Sequence, residues 1–103
     1  MNVTISARHC EIPYSLRSRT EQRIARLSRY DPRLADAEVT YERERVSHDV
    51  EIRLGVEGAP PVVARASGDS FKAALDRGVA RAARQLRRFR ERRIARRAGS
   101  PLQ

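Results

Sequence analysis

The stretch SFKAALDRGVARAARQLRRFRERRIARRAG, residues 70–99, decides the fold of this 103-residue chain. It is dense in arginine, yet its apolar residues recur at spacings of four, four, three, four and three: Phe71, Leu75, Val79, Ala82, Leu86 and Phe89. At about 100° per residue these positions share one side of a helix, with Ser70, or Asp69 in competition, as the N-cap. The stretch therefore predicts an amphipathic helix as far as Phe89 instead of a disordered basic tail.

The arginines of this helix are abundant, and they also occupy particular sides of it. Four of them lie nearly opposite the apolar stripe: Arg77, Arg81, Arg84 and Arg88. Beyond Phe89 the stripe ends, because Arg93 occupies its next position and Arg97 lies at its edge. We therefore expect a helix with a positive outer face, followed by a solvated basic extension that becomes ordered on a partner. On this basis a domain spans residues 1–95, and a basic, disordered tail spans residues 96–103.

The rest of the chain predicts one more helix and four strands. The first strand alternates apolar and polar residues at NVTISA, and a helix over residues 13–29 has an apolar face. The inward positions of this helix are Leu16, Thr20, Ile24 and Leu27. Three later strands alternate in the same way, with inward residues Ala37, Val39, Tyr41, Val50, Ile52, Leu54, Val56, Val62, Ala64 and Ala66. The order β-α-β-β-β-α predicts an α+β two-layer sandwich, a four-stranded sheet with two helices packed on one face.

The formal net charge of +9 points to a polyanionic partner, either nucleic acid or an anionic membrane surface. Residues 71–98 hold eleven basic and two acidic side chains, so this segment carries the whole imbalance. In the first helix Arg19, Arg26 and Arg29 lie away from the apolar stripe, and Arg23 lies near its edge. Helices side by side would then present two rows of arginine, whose planar forks suit phosphate. The alternative is that these charge runs are only solvated helix faces.

The sequence offers no constellation for catalysis or metal binding, so we predict no enzyme activity and no cofactor. Cys10 is the only cysteine, which excludes an internal disulfide and fits a reducing compartment. His9 and Cys10 are neighbours in a strand, so their side chains would point to opposite faces. The N-terminus has no signal-peptide pattern and no apolar run has membrane-spanning length. We therefore expect a cytoplasmic protein with no membrane partner.

Four segments, in this order, resemble the ribosome hibernation-promoting factor family, also called ribosome-associated inhibitors or ribosomal subunit interface proteins. They are NVTISARHCEI, LRSRTEQRIARLSRYDPRLADAEV, ERERVSHDVEIRLGVEG and ARASGDSFKAALDRGVARAARQLRRFRER, which together cover roughly residues 1–93. The most specific pieces are ASGDSFKAALD leading into ARQLRR, and YDPR after the first helix. Three features depart from the family's pattern: Arg43 at an inward position, Lys72 in place of a frequent Tyr, and an extra residue in GAPP.

The resemblance implies a factor that binds the 30S subunit in stationary phase or stress. It would occupy the decoding channel on 16S rRNA, where mRNA and tRNA lie, and repress translation without chemistry. Matching basic positions imply rRNA contacts by Arg23, Arg26, Arg45, Arg81, Arg84, Arg88, Arg90 and Arg92. The second domain of long-form members is absent from this sequence, which predicts a short form that is a monomer off the ribosome. Such a form either promotes 100S dimers with a helper protein or keeps 70S ribosomes idle.

Two other readings are open from the residues. A generic double-stranded RNA or DNA-binding module would also use a basic helix on phosphates, although such modules begin that helix with a basic motif. Here the helix begins with SFKAALD, which is nearly neutral. A modulator of the transcription factor sigma-54 is the other reading, since relatives have carried that label, but a strongly basic surface gives it no direct support.

Overall fold

The computed structural model describes residues 1–99, and of residues 97–99 the helical backbone alone. In chain order the elements are β1 (Asn2–Arg8), α1 (Tyr14–Ala25), a 3-10 helix (Arg26–Arg29), β2 (Leu34–Glu44), β3 (Ser47–Val56), β4 (Val62–Gly68) and α2 (Phe71–Gly99). This confirms the β-α-β-β-β-α order and the α+β class. The helix α2 continues past residue 95 to Gly99, while residues 100–103 lie outside the described residues, so the division into domain and tail stays a prediction.

The four strands form one sheet in the order β1-β2-β3-β4. β1 pairs in parallel with β2, and α1 forms the crossover that a parallel pair requires. β2, β3 and β4 form an antiparallel meander. The two-residue turn Arg45–Val46 joins β2 to β3, and Arg45 has a φ of 55°, in the left-handed region that few non-glycine residues adopt. The sheet thus has one face for the helices and one open face.

The predicted helix over residues 13–29 consists of two parts. α1 begins after Pro13, whose carbonyl accepts hydrogen bonds from the backbone N–H groups of Leu16 and Arg17, both at 3.1 Å. After Ala25 the chain tightens into the 3-10 helix, and the N–H of Tyr30 donates to the carbonyl of Leu27 at 3.0 Å. A 3-10 helix repeats every three residues, so Leu27 stays buried three residues after Ile24.

The long helix α2 packs its apolar stripe on β3 and β4. The hydroxyl oxygen of Ser70 accepts a hydrogen bond from the N–H of Ala73 at 3.1 Å, so Ser70 is the N-cap and Asp69 is not. The stripe positions from Leu75 to Leu86 are buried, whereas Phe71 and Phe89 at its two ends are partly buried. Gly78 faces Val50 and Ile52, where an added Cβ would lie 3.1 Å from each side chain. A glycine at this point therefore lets the helix approach the sheet closely.

The core between the layers contains one polar pair. Tyr41 and Thr20 are both fully buried, and their hydroxyl oxygens lie 2.6 Å apart. The Thr20 hydroxyl also donates to the Leu16 carbonyl at 2.7 Å, so the Tyr41 hydroxyl is the donor in the pair. Burial raises the pKa of Tyr41. The hydroxyl pair connects α1 to the centre of the sheet. All predicted inward residues of α1, β2, β3 and β4 are buried.

Candidate RNA-binding surface

The fold separates charge into two layers. Together α1, the 3-10 helix and α2 hold sixteen basic and three acidic side chains, a net of +13. The strands and loops hold six basic and ten acidic side chains, a net of −4. Because both helices lie on the same side of the sheet, the positive charge lies on that side. A polyanion would therefore meet the helices and not the open face of the sheet.

The outer face of α2 carries the arginines that were predicted to point away from the core. Arg84 and Arg88 are exposed, and within the described residues no hydrogen bond or ion pair engages their guanidinium groups. Arg77 and Arg81 reach over β4, the edge strand of the sheet. Arg77 donates to the Ser67 carbonyl at 2.7 Å, and Arg81 donates to the Arg65 carbonyl at 2.5 Å. Arg81 is therefore partly engaged with its own chain.

On α1 one arginine of the predicted outward row, Arg19, is engaged by an acid, as is Arg23 at the edge of the apolar stripe. Asp76 of α2 lies between the helices, and its carboxylate oxygen is 2.9 Å from Arg23 and 3.2 Å from Arg19. Arg19, expected to point away from the core, is half-buried because α2 brings this acid within its reach. Arg26, on the 3-10 helix, is exposed as predicted. The start of the groove between the helices is thus closed by ion pairs.

Further along this groove lies an arginine site that the sequence prediction missed. The guanidinium carbons of Arg29 and Arg87 lie 5.2 Å and 5.4 Å from the centroid of the Tyr30 ring, within the range of cation–π contacts. Arg29 also donates weakly to the Tyr30 hydroxyl at 3.4 Å. The sequence signal was present, since Tyr30 follows the first helix and Arg87 lies on the flank of the second. Only the packing of the two helices brings them together.

Arg93 is not the solvated residue that the end of the apolar stripe predicted. It donates to the carboxylate of Asp31 at 2.6 Å, and Asp31 is only 1% exposed. Burial raises the pKa of Asp31, but hydrogen bonds from Arg93 and the Arg33 backbone outweigh it, so its pKa lies below the ordinary value. Arg90 donates to the Tyr30 carbonyl at 3.2 Å. These two arginines fasten α2 to the YDPR turn, which is why the inward face continues past Phe89.

The remaining predicted contacts lie at the periphery. Arg45 is exposed in the β2–β3 turn. Its neighbour Arg43 is at the inward position that departs from the family's pattern. Its side chain lies at the β2–β3 turn and forms hydrogen bonds with the Arg45 carbonyl and the His48 Nε2, both at 2.9 Å. Arg92 is exposed on α2, with its guanidinium carbon 5.4 Å from the Phe89 ring centroid. The eight predicted residues thus lie on α1, the 3-10 helix, α2 and the β2–β3 turn, and their role in RNA binding stays a prediction.

The open face of the sheet differs from the helix layer in its charge, because it carries several carboxylates. Glu42 of β2 and Asp49 of β3 are directly opposite each other in the register, and Glu51 follows on the same face. Hydrogen bonds from Ser47 and Ser67 lower the pKa of Asp49. Arg65 neutralises Glu51 at 2.7 Å. Within the described residues, the arginines of this face are interspersed with carboxylates.

No group of three or more His, Cys, Asp and Glu side chains among the described residues is placed to hold a metal ion. Within residues 1–99, no helix has both the length and the apolar composition needed to cross a membrane.

Comparison with known proteins identifies the family. Residues 3–94 match the model of the family described as Sigma 54 modulation protein / S30EA ribosomal protein. The chain belongs to this family. A ribosome hibernation promoting factor of Azotobacter vinelandii is 33% identical over 99 residues, which are 96% of this chain and 92% of the relative. The resemblance seen in the sequence is therefore confirmed.

Solved structures agree with the fold. The N-terminal domain of protein Y from Thermus thermophilus has a TM-score of 0.78 at 30% identity, covering 86% of this chain and 99% of that domain. A ribosomal subunit interface protein from Coxiella burnetii has a TM-score of 0.82, covering 88% of this chain and 99% of its own. At 16% identity the second likeness concerns the fold alone. Both support the predicted sandwich of two helices on a four-stranded sheet.

Proposed function

We propose that this protein is a ribosome hibernation factor that binds the 30S subunit and represses translation in stationary phase or stress. It would lie on 16S rRNA in the channel for mRNA and tRNA and act by occupancy, without chemistry, in the cytoplasm. Membership of the family and the name of the Azotobacter relative support association with ribosomes. The observation that carries the RNA contact is the separation of charge between the helix layer and the sheet.

The exposed arginines of the helix layer are suited to bind the RNA backbone. Arg26, Arg84 and Arg88 offer planar guanidinium forks that match phosphate oxygens in a bidentate way. Arg23, Arg81 and Arg90 each spend part of their donors on the protein, so their share in RNA binding is smaller. Arg45 and Arg92 would add contacts at the two ends of the surface. Since phosphate contacts release counterions, binding should weaken steeply with salt.

Sedimentation of stationary-phase lysates tests the proposal. The protein should migrate with 30S and 70S particles in a sucrose gradient at low salt and leave them at high salt. Its absence from both fractions at low salt would overturn the proposal. The same gradients decide between its two modes, because a dimer-promoting form shifts ribosomes to 100S when its helper protein is present, whereas an idling form leaves them at 70S.

Competition separates this function from generic duplex binding. Purified protein bound to 30S subunits is challenged with an unrelated RNA duplex at equal phosphate concentration. We expect the subunit to retain the protein, because the helix layer would be fitted to one folded surface and not to regular duplexes. Equal displacement by the duplex would favour a generic double-stranded RNA-binding module. A protein that binds neither RNA but binds sigma-54 would be a transcription modulator.

A further inference from the structure

We propose that a groove between the β3–β4 loop and the end of α2 binds one unpaired nucleotide of RNA. Its floor is apolar and its rim is basic; the lining residues are Ala59, Pro60, Pro61 and Phe89 below, with Arg92, Arg93 and Arg96 above. The cavity measures about 460 Å³, within the usual size range of ligand pockets. The inference rests on the proposed function and names one place where that RNA would be held.

The floor of the groove suits a nucleobase. Phe89 ends the apolar stripe of α2 and is only partly buried, so part of its surface remains open to the groove. Pro60 and Pro61 are exposed beside it, and their rings limit the freedom of the loop. Bases stack on aromatic side chains with little regard for sequence. A stiff loop facing an aromatic ring is therefore a preformed slot for a flat, apolar group.

The rim of the groove suits the phosphate of the same nucleotide. Arg93 is fixed by its ion pair with Asp31, and Arg92 lies against the Phe89 ring. Arg96 is exposed one turn further along α2. Among residues 1–96, no carboxylate lies within 4.0 Å of the guanidinium of Arg92 or Arg96. Two such arginines beside an apolar slot complement an anion that carries a flat ring.

An unpaired nucleotide fits this description better than a duplex does. Bases in a duplex stack on one another and leave no face for a side chain, whereas splayed bases in loops stack on aromatic residues. The groove also lies on the same basic helix as Arg84 and Arg88, so one RNA can reach both. An apolar peptide with a carboxylate is the competing occupant, and the experiment below separates the two.

The first test removes the ring and keeps the fold. Phe89→Leu retains an apolar side chain against the core, Phe89→Tyr retains the ring, and Tyr14→Leu removes an aromatic residue that is 82% exposed at the start of α1. Affinity for purified 30S subunits should fall about tenfold in Phe89→Leu, fall by less in Phe89→Tyr because the ring is kept, and stay unchanged in Tyr14→Leu. Arg92→Gln should reduce the slope of log affinity against log salt by about 0.7. Thermal unfolding checks that each variant is folded.

The second test identifies the occupant directly. A benzophenone side chain placed at Pro60 of the full-length protein is irradiated on 30S subunits, and an adduct removed by ribonuclease supports the proposal. An adduct to protein alone would overturn the nucleotide assignment. Failure of the wild-type protein to bind 30S subunits would count against the proposed function. Normal wild-type binding, with an unchanged Phe89→Leu variant and no RNA adduct, would count against the groove only.

Discussion

The outer surface of the helices and the open face of the sheet both carry arginine, but they differ in whether nearby carboxylates neutralise it. On the sheet, Arg65 donates to Glu51 at 2.7 Å, and carboxylates outnumber arginines on the central strands. On the helices, Arg84 and Arg88 lie four residues apart with no carboxylate between them on that face. Like charges at this spacing destabilise a helix slightly. The helix surface therefore keeps charges that its own fold does not neutralise, and an external anion can do so.

The largest expected effect comes from reversing charge on the helix surface. Arg84→Glu/Arg88→Glu should weaken 30S binding about 100-fold, because two phosphate ligands become repulsive carboxylates. Affinity is measured by filter binding at constant ionic strength, and circular dichroism reports the helix content. Retained binding would show that this face is only solvated, whereas lost helicity would show that these residues are structural.

The matched control lies on the sheet. Arg8→Glu/Arg53→Glu makes the same change in net charge at two exposed positions of the strands. Its affinity should fall by less than about fivefold, because charges beyond a Debye length of roughly 8–10 Å are screened at physiological salt. Equal losses in both double variants would mean that net charge alone drives binding and that the two faces do not differ in function.

Arg93 is an exception to the exposed helix surface, and removing it should affect stability more than binding. Arg93→Ala leaves the buried Asp31 carboxylate without its ion-pair partner, and should lower the free energy of unfolding at pH 7 by about 2 kcal/mol. Urea denaturation measures this loss. Arg96→Ala, one turn further along and exposed, is the control and should change stability little.

The same pair predicts a dependence on pH. The pKa of Asp31 is lower in the folded protein than in the unfolded chain, so its stabilisation is complete above the unfolded value. That stabilisation is lost as the pH falls below about 4 towards the folded value. The difference in stability between wild type and Arg93→Ala should therefore narrow at acidic pH. A difference that stays constant down to pH 3 would assign the stabilisation to packing.

A smaller effect is expected at the arginines around Tyr30. Arg29→Gln/Arg87→Gln should weaken 30S binding about fivefold, because it removes two guanidinium groups gathered on one ring without a carboxylate. Arg19→Gln is the control, since Asp76 already neutralises this arginine. If Arg19→Gln weakens binding more than the double variant does, RNA contacts the end of the interhelical groove near Asp76 and not the end near Tyr30.

The smallest effect is expected from the acids of the sheet. Glu38→Gln/Glu42→Gln removes repulsion between the open face and RNA, and should raise affinity for an unrelated RNA about twofold while leaving 30S binding unchanged. Fluorescence anisotropy with a labelled oligonucleotide measures the first quantity. A matching gain in 30S affinity would mean that the open face of the sheet also meets rRNA.

Hydrophobic spacing was sufficient to predict the layers. The stripe from Leu75 to Leu86 and the alternation of Val50, Ile52 and Leu54 each specify one buried face, and the buried faces leave little choice of packing. The N-cap at Ser70 was also predicted, although the side chain of Asp69 can cap a helix in the same way. The class of the fold follows from local pattern, because pattern determines which side of each element avoids water.

Partners of long side chains could not be predicted in this way. A helical wheel places Arg19 and Arg93 relative to their own helix, but Asp76 and Asp31 belong to other elements. Their ion pairs depend on the distance between packed helices and on the path of a turn, neither of which has a periodic signal. The same reason explains why the contacts of Arg29 and Arg87 with the Tyr30 ring were missed, although Arg29 already belonged to the predicted arginine row.

The arginines that lie over β4 link RNA binding to the behaviour of the protein at high concentration. β4 is an edge strand, and edge strands with unpaired carbonyls can template pairing with another chain. Arg77 and Arg81 occupy the carbonyls of Ser67 and Arg65 at that edge, four residues apart on α2. Variants that remove these two arginines would also leave these edge carbonyls unpaired, so that another chain could pair with them. Selection at these positions would therefore act on solubility as well as on RNA binding.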